Sequence, residues 1–412
     1  MQTKQPWIAR ILAVLVLNLA LCGAATAQVE QVIYSLGVAQ ADGACPMAGL
    51  VVDQKGNLYG TTALGHGHGL FRYGSGTVFK ITHTGRGWKE TVLYTFAGKD
   101  GAVPAAGLVL DEKGNLYGTT SRGGTNDAGV VFRIFHNATG WHEQVLYSFT
   151  GLTDGGSPFT GVIRDAAGNL YGTTELGGGN GQGTVFQLTH GPTGWTEKVL
   201  HSFGPFAKFP FGGLVFDAAG NLYGTTRSGG TALSGTVFRL TPGNRGNWKA
   251  TILYSFLGTT NGNADGRFPY STLVLDGQGN LYGTTKMGGP SGGGTIFQLK
   301  PSLDGTWTER LLQYGAAGNG GGKQFMSDLV FDAAGRLYGT ASLGGKFGWG
   351  VVYRLNPTAT GLWKEHVLHP FTGLNDGGTP LAGVVLDAQG NIFGTTFTGG
   401  EAGNGTVFEI TP

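Results

Sequence analysis

Gly56-Asn57-Leu58-Tyr59-Gly60-Thr61-Thr62 fixes the architecture of this chain, because it returns unchanged at 114–120, 168–174, 220–226 and 279–285. Two looser copies follow at 335–341 and 390–396. An aspartate stands three residues before each copy: Asp53, Asp111, Asp165, Asp217, Asp276, Asp332 and Asp387. Successive aspartates are 58, 54, 52, 59, 56 and 55 residues apart, a period that signals a repeat architecture.

Each repeat reads as four short strands. In the first, Leu50-Val51-Val52 is an apolar strand a, and Asp53 to Asn57 has the chemistry of a tight turn. Leu58 to Thr62 is strand b, and a glycine-rich loop over 63–75 leads to strand c, Gly76 to Ile81. A polar turn ends at Trp88, and Glu90 to Phe96 is strand d. Apolar residues occupy both parities, as in Val92-Leu93, so both faces of each sheet must be covered. No segment keeps a helical period.

Four antiparallel strands per repeat, covered on both faces, describe an all-β propeller with seven blades. The last repeat has a, b and c and then reaches Pro412, while Glu30 to Leu36 aligns with strand d. The N-terminal strand 30–36 is therefore expected to complete the last blade, tying both ends of the chain.

Residues 1–27 read as an export signal: Lys4 and Arg10, an apolar stretch from Ile11 to Leu21, and the small-residue site Ala25-Thr26-Ala27. The apolar stretch is short for a membrane span. Cleavage after Ala27 gives a secreted or periplasmic chain, 28–412, expected to be one propeller, monomeric and without a transmembrane anchor. Its 25 Lys and Arg balance 25 Asp and Glu, and no basic stripe suggests nucleic acid. Only Cys45 remains after cleavage, so stability must come from packing and closure rather than an internal disulfide.

The segments Gly229-Gly230 before Gly235-Thr236-Val237-Phe238, and Gly399-Gly400 before Gly405-Thr406-Val407-Phe408, share the pattern Gly-Gly-x(4)-Gly-Thr-Val-Phe. This pattern resembles the GloVer-type tandem-repeat (choice-of-anchor) family of bacterial exported proteins, and the resemblance spans the mature chain. It implies no assigned chemistry. Members often end in a surface-anchoring tail, which is not expected here because the sequence ends within a blade. The Asp-x-x-Gly-Asn-Leu-Tyr segment also looks like blades of exported lyase and lactonase-type propellers, through a turn and a strand rather than catalytic residues.

Positions constant between repeats read as architecture. The seven aspartates cap turns, the Thr-Thr pairs bond between strands, and Trp88, Trp141, Trp195, Trp248, Trp307 and Trp363 cover blade edges or, on the sharper reading, stack on sugars. Changing positions are candidates for recognition. The residue after each Thr-Thr pair (Thr-Ala in the sixth repeat) is Ala63, Ser121, Glu175, Arg227, Lys286, Ser342 or Phe397, with Arg122 beside the second. These begin the b–c loops and form a mixed collar suited to a polar ligand, or simply a solvated one. Arg164 breaks the apolar pattern of strand a, either as a cation in the channel or as a snorkelling arginine.

Metal candidates are weaker. His66 and His68 share a loop without an evident third ligand. Asp100, Asp154, Asp265 and Asp376, with Asp42, each precede a glycine and then a proline, which is first a turn signal and second a possible Ca²⁺ or sugar-hydroxyl site. No cofactor is otherwise implied, and no nucleophile–base set, HExxH or phosphate loop appears. The expected function is a binding or scaffold module for a glycan or protein partner at the cell envelope; the alternative is a lyase- or hydrolase-type enzyme working over the channel mouth. Deleting residues 28–37 is expected to open the ring and lower the melting temperature sharply. An unchanged melting curve would refute closure by the N-terminal strand.

Overall fold

The computed structural model describes residues 29–39, 41–65, 75–258, 265–315, 320–358 and 362–411. Strands Val51–Val52, Leu58–Thr62, Thr77–Thr84 and Gly87–Thr95 pair in that order as a to d of blade 1. Six further sheets repeat the order around a ring, giving the seven-bladed all-β propeller. Ala207–Pro210 and Gly266–Pro269 add short strands to blades 4 and 5. Among the described residues no helix is long and apolar enough to cross a membrane.

Blade 7 takes its fourth strand from the N-terminal segment Val29–Ser35, which pairs with Thr406–Thr411. Its register slips between Val32 and Tyr34. The same slip falls between Val78 and Phe79 in blade 1 and between Val131 and Phe132 in blade 2. The N-terminal strand thus reproduces a d strand down to its bulge.

Strand b is buried along its whole length. Its central glycine, Gly60, pairs across the sheet with Phe79, and a Cβ there would lie 2.6 Å from the Phe79 ring. The phenylalanine lies over the glycine. The end of strand d then supplies a second ring to the next blade: Phe96 meets Phe132 edge-on with centroids 5.0 Å apart, and Phe149 meets Phe186 at 5.1 Å. Between blades 5 and 6 that position is Gly315. There Phe325, standing where other blades have proline, fills the gap against Tyr353, centroids 5.5 Å apart.

The a–b turns follow from local chemistry. Asp53 accepts from the N–H groups of Lys55 and Asn57, from the Asn57 amide and from the Tyr59 hydroxyl, at 2.7–3.1 Å. Burial pushes these turn carboxyls up. The donated hydrogen bonds outweigh it and hold Asp53, Asp111, Asp217 and Asp276 below the usual value. Outside blade 3 each Thr-Thr pair divides its work: the Thr119 hydroxyl donates to Thr160 O of the next blade at 2.8 Å, while Thr120 donates to Arg122 O of its own loop; Thr173 instead bonds the Thr160 hydroxyl of its own blade. The tryptophans pack edge-on against the preceding blade, as Trp248 does on Tyr171 and Trp88 on Phe393.

A second seam joins the blades on the b–c loop face. Cys45, Val103, Ser157, Phe209, Phe268, Gln324 and Thr379 all have φ between 52° and 58°. Each sends its N–H to a carbonyl of the preceding blade at 2.7–2.9 Å. Such a left-handed backbone is costly for branched residues like Val103 and Thr379, so the hydrogen bonds must hold it. The proline that follows packs on the glycine opening the previous strand c: a Cβ on Gly235 would lie 2.4 Å from Pro269 Cδ and 2.6 Å from Thr226 O.

Strand d carries a row of glutamates that faces the blade junctions. Glu30, Glu90, Glu143, Glu197 and Glu309 each bury one carboxyl oxygen without a partner. Burial, and then the nearby aspartate of the d–a crossing, raises each pKa to about 7.

Two measurements test these seams. Gly235→Ala is expected to cost about 2 kcal/mol or more through overpacking and strain. Gly220→Ala, whose φ is +80° but whose Cβ would meet nothing within 4 Å, is expected to cost clearly less; equal losses in a denaturant titration would refute the proline seam. The glutamates bind protons more tightly when folded. Their contribution is fully present below the unfolded value of 4.5 and is lost as pH rises through about 7. Melting temperature should therefore fall between these pH values, and Glu309→Gln should flatten part of the fall; a stability that rises over that interval would contradict the junction electrostatics.

Candidate functional site

The residue after each seam proline, or after Phe325 in blade 6, enters the central channel. Met47, Ala105, Met326 and Leu381 make one side of the mouth, and Phe159, Phe211 and Tyr270, from the adjacent blades 3, 4 and 5, make the other. They enclose a cavity of about 480 Å³ to which every blade contributes. Phe159 and Phe211 stack with centroids 5.1 Å apart and planes 20° from parallel. Tyr270 meets Phe211 edge-on at 4.6 Å. A sevenfold scaffold thus carries an aromatic arc on one sector only.

Two residues deeper the channel narrows to a waist of one residue per blade. Five blades place a glycine there, at Gly49, Gly107, Gly161, Gly213 and Gly383, while blade 5 places Thr272 and blade 6 Asp328. Neighbouring backbones are close, since a Cβ on Gly161 would lie 2.5 Å from Gly107 O. Gly213 N–H donates to the Thr272 hydroxyl at 3.1 Å, and Thr272 N–H donates to Asp328 Oδ1 at 2.6 Å. Asp328 is exposed to the open channel, with the channel wall around it. That enclosure raises its pKa to about 6, against the lowering effect of the Thr272 hydrogen bonds.

Three of the sequence candidates gather above the aromatic arc. Glu175 and Arg227 form an ion pair at 3.5 Å. Burial raises the Glu175 pKa, and Arg227 offsets part of the rise. The Arg227 guanidinium lies 5.4 Å and 5.8 Å from the ring centres of Phe209 and Phe211, and Lys286 Nζ lies 5.5 Å from that of Tyr270. Lys286 also lines the cavity.

The other candidates lie elsewhere. Ser121 and Ser342 are buried, and their hydroxyls donate to Val103 O and Gln324 O of their own blades at 3.2 Å. Arg122 is exposed and only loosely paired with Asp127 at 3.7 Å. Phe397 is half-buried in blade 7, away from the arc. Arg164 lies beside the a–b turn of blade 2, pairing with Glu112 at 3.2 Å, on the face opposite the b–c loops. The Asp-Gly carboxylates stay apart, each in its own crossing: Asp100 with Tyr94, Asp154 with Tyr147, Asp265 with Tyr254 and Asp376 with His369. Among the described residues no three potential ligands gather to hold a metal ion. His66 and His68 lie outside the described residues.

The arc and Asp328 were missed by inspection of the b–c loops alone. Their signal was of the same kind: a variable residue behind a constant proline at 159, 211 and 270, and one carboxylate in a column of glycines.

Residues 68–264 match the model of the Gloeobacter/Verrucomicrobia repeat. No curated protein matches the chain. Among solved structures, a Bacteroides uniformis protein provisionally assigned as a 6-phosphogluconolactonase is similar with a TM-score of 0.50 and 16% identity, over 77% of this chain and 84% of its own. A Dyadobacter fermentans protein of unknown function has a TM-score of 0.47 and 13% identity, covering 93% and 98% of the two chains. A luciferin-regenerating enzyme has a TM-score of 0.47 and 14% identity, covering 93% and 95%. The first of these likenesses speaks of the propeller fold alone. Residues 68–264 carry the Gloeobacter/Verrucomicrobia repeat, and copies of the same Gly-Asn-Leu-Tyr-Gly-Thr-Thr pattern stand on either side of the matched segment.

Proposed function

We propose that this protein is an exported binding propeller that takes a glycan of the cell envelope in the mouth of its channel. The observation that supports it most is the Phe159–Phe211–Tyr270 arc, an aromatic wall on one sector of an otherwise repeated ring. Pyranose rings present apolar C–H faces that pack on such walls, and Glu175, Arg227 and Lys286 stand above it as partners for hydroxyls. The cavity of about 480 Å³ falls in the range of small-ligand sites. The signal-like residues 1–27 support a secreted or periplasmic location.

A second reading has one observation of its own. Asp328, in the same cavity, has a pKa raised to about 6, a value suited to general acid work in a lyase or hydrolase. Purified 28–412 applied to a panel of insoluble polysaccharides and cell-envelope material separates the two. Selective retention that falls about tenfold in Phe211→Ala and Tyr270→Ala supports the binding module. Release of soluble sugars that stops in Asp328→Asn supports the enzyme. Retention unaffected by either aromatic substitution would refute the mouth as the site.

A further inference from the structure

Resting on that glycan reading, we infer that the site recognises a chain end: one neutral terminal sugar whose hydroxyls donate to Asp328 at the floor of the mouth. The first reason is shape. Loops of all seven blades surround the cavity, so its long direction is the channel axis. A glycan bound along its length needs an open exit on two opposite sides. A closed collar lets in an end, which meets Thr272 and Asp328 at the glycine layer.

The second reason is where the repeat breaks. Asp328 replaces a glycine, and blade 6 carries other departures packed directly behind it. Phe325 stands for proline, Ala341 for threonine, and Tyr353 for the phenylalanine over the strand glycine. Ser327, next to Asp328, donates to Thr340 O and accepts from Thr340 N–H, both at 3.0 Å. Phe325 and Tyr353 also restore the ring contact that Gly315 leaves out, and they do so in the blade that brings a carboxylate to the axis.

The third reason is charge. Asp328 is the carboxylate of the floor, and among the described residues no ion pair involves it. Arg227 is already matched by Glu175, and Lys286 stands at the rim over Tyr270. An acidic sugar reaching the floor meets like charge. A neutral sugar brings hydroxyl donors, which a carboxylate accepts in charge-assisted hydrogen bonds.

Calorimetric titration of 28–412 tests this with linear malto-, cello-, xylo- and manno-oligosaccharides of two to six residues, and with oligogalacturonate as the acidic probe. At least one neutral series should bind, with affinity nearly independent of length, and the acidic probe should not. Asp328→Asn keeps an acceptor for Thr272 N–H, so it should melt like the parent while binding roughly tenfold or more weakly. Binding by the parent should weaken more steeply than binding by the variant as pH falls from about 7.5 to about 5, the variant keeping only the part that Glu175 contributes. Affinity that climbs steadily with chain length, equal binding of the acidic probe, or an Asp328→Asn variant that binds normally would overturn the end-reading inference while leaving the glycan site intact. Failure of every probe to bind would overturn the glycan reading, and this inference with it.

Discussion

The Phe79 ring resting on Gly60 is the contact on which the ring architecture depends. Glycine weakens a strand by about 0.5–1 kcal/mol relative to alanine, but burying a phenylalanine side chain returns about 1.5–3 kcal/mol. The exchange is therefore favourable, and its geometry matters as much as its energy. With no side chain at the central glycine of strand b, the phenylalanine of strand c lies flat within its own blade and offers its ring to the preceding one. The phenylalanine ending strand d of the preceding blade meets it edge-on, as Phe96 meets Phe132. Intrablade and interblade packing thus share the same phenylalanine. Phe325 and Tyr353 keep a ring contact where strand d ends in Gly315, whereas Leu36 fills that place between blades 7 and 1.

Because packing and seams use the same few positions in every blade, they leave other positions free. The residue behind the proline changes from Met47 to Ala105 to Phe159 without disturbing its neighbours, and so do the residues that start the b–c loops. Both free sets carry their distinctive side chains in blades 3 to 5, with Phe159, Phe211 and Tyr270 in one and Glu175, Arg227 and Lys286 in the other. Two independent positions diverging in the same sector give the mouth a side.

Much of the fold was legible because its causes are local or repeated. Asp53 and its donors lie within seven residues, and the N-terminal strand matches Glu90 to Phe96 almost letter for letter in pattern. The site was only half legible. Glu175, Arg227 and Lys286 stood out as charged departures in a constant frame, but Ser121 and Ser342 at the same column turned inward, because a small hydroxyl can satisfy the carbonyl beside it. Arg164 was ambiguous for a different reason: its partner Glu112 belongs to the previous blade, a neighbour that only ring geometry supplies. The glutamates of strand d carry no local mark in the sequence that sets them facing the adjoining blade.

Pairing Val29–Ser35 with Thr406–Thr411 has a consequence in time as well as in space. The Thr411 hydroxyl reaches Val29 O across 382 residues of chain, so the strand that is synthesised first is paired last. Six blades can assemble in order from contacts close in sequence, while the seventh must wait for the final residues and close the largest loop the chain allows. Until then the N-terminal strand remains an open edge, and a second chain's incomplete blade is its natural competitor. The circle closes only once Thr406–Thr411 is available to pair with Val29–Ser35.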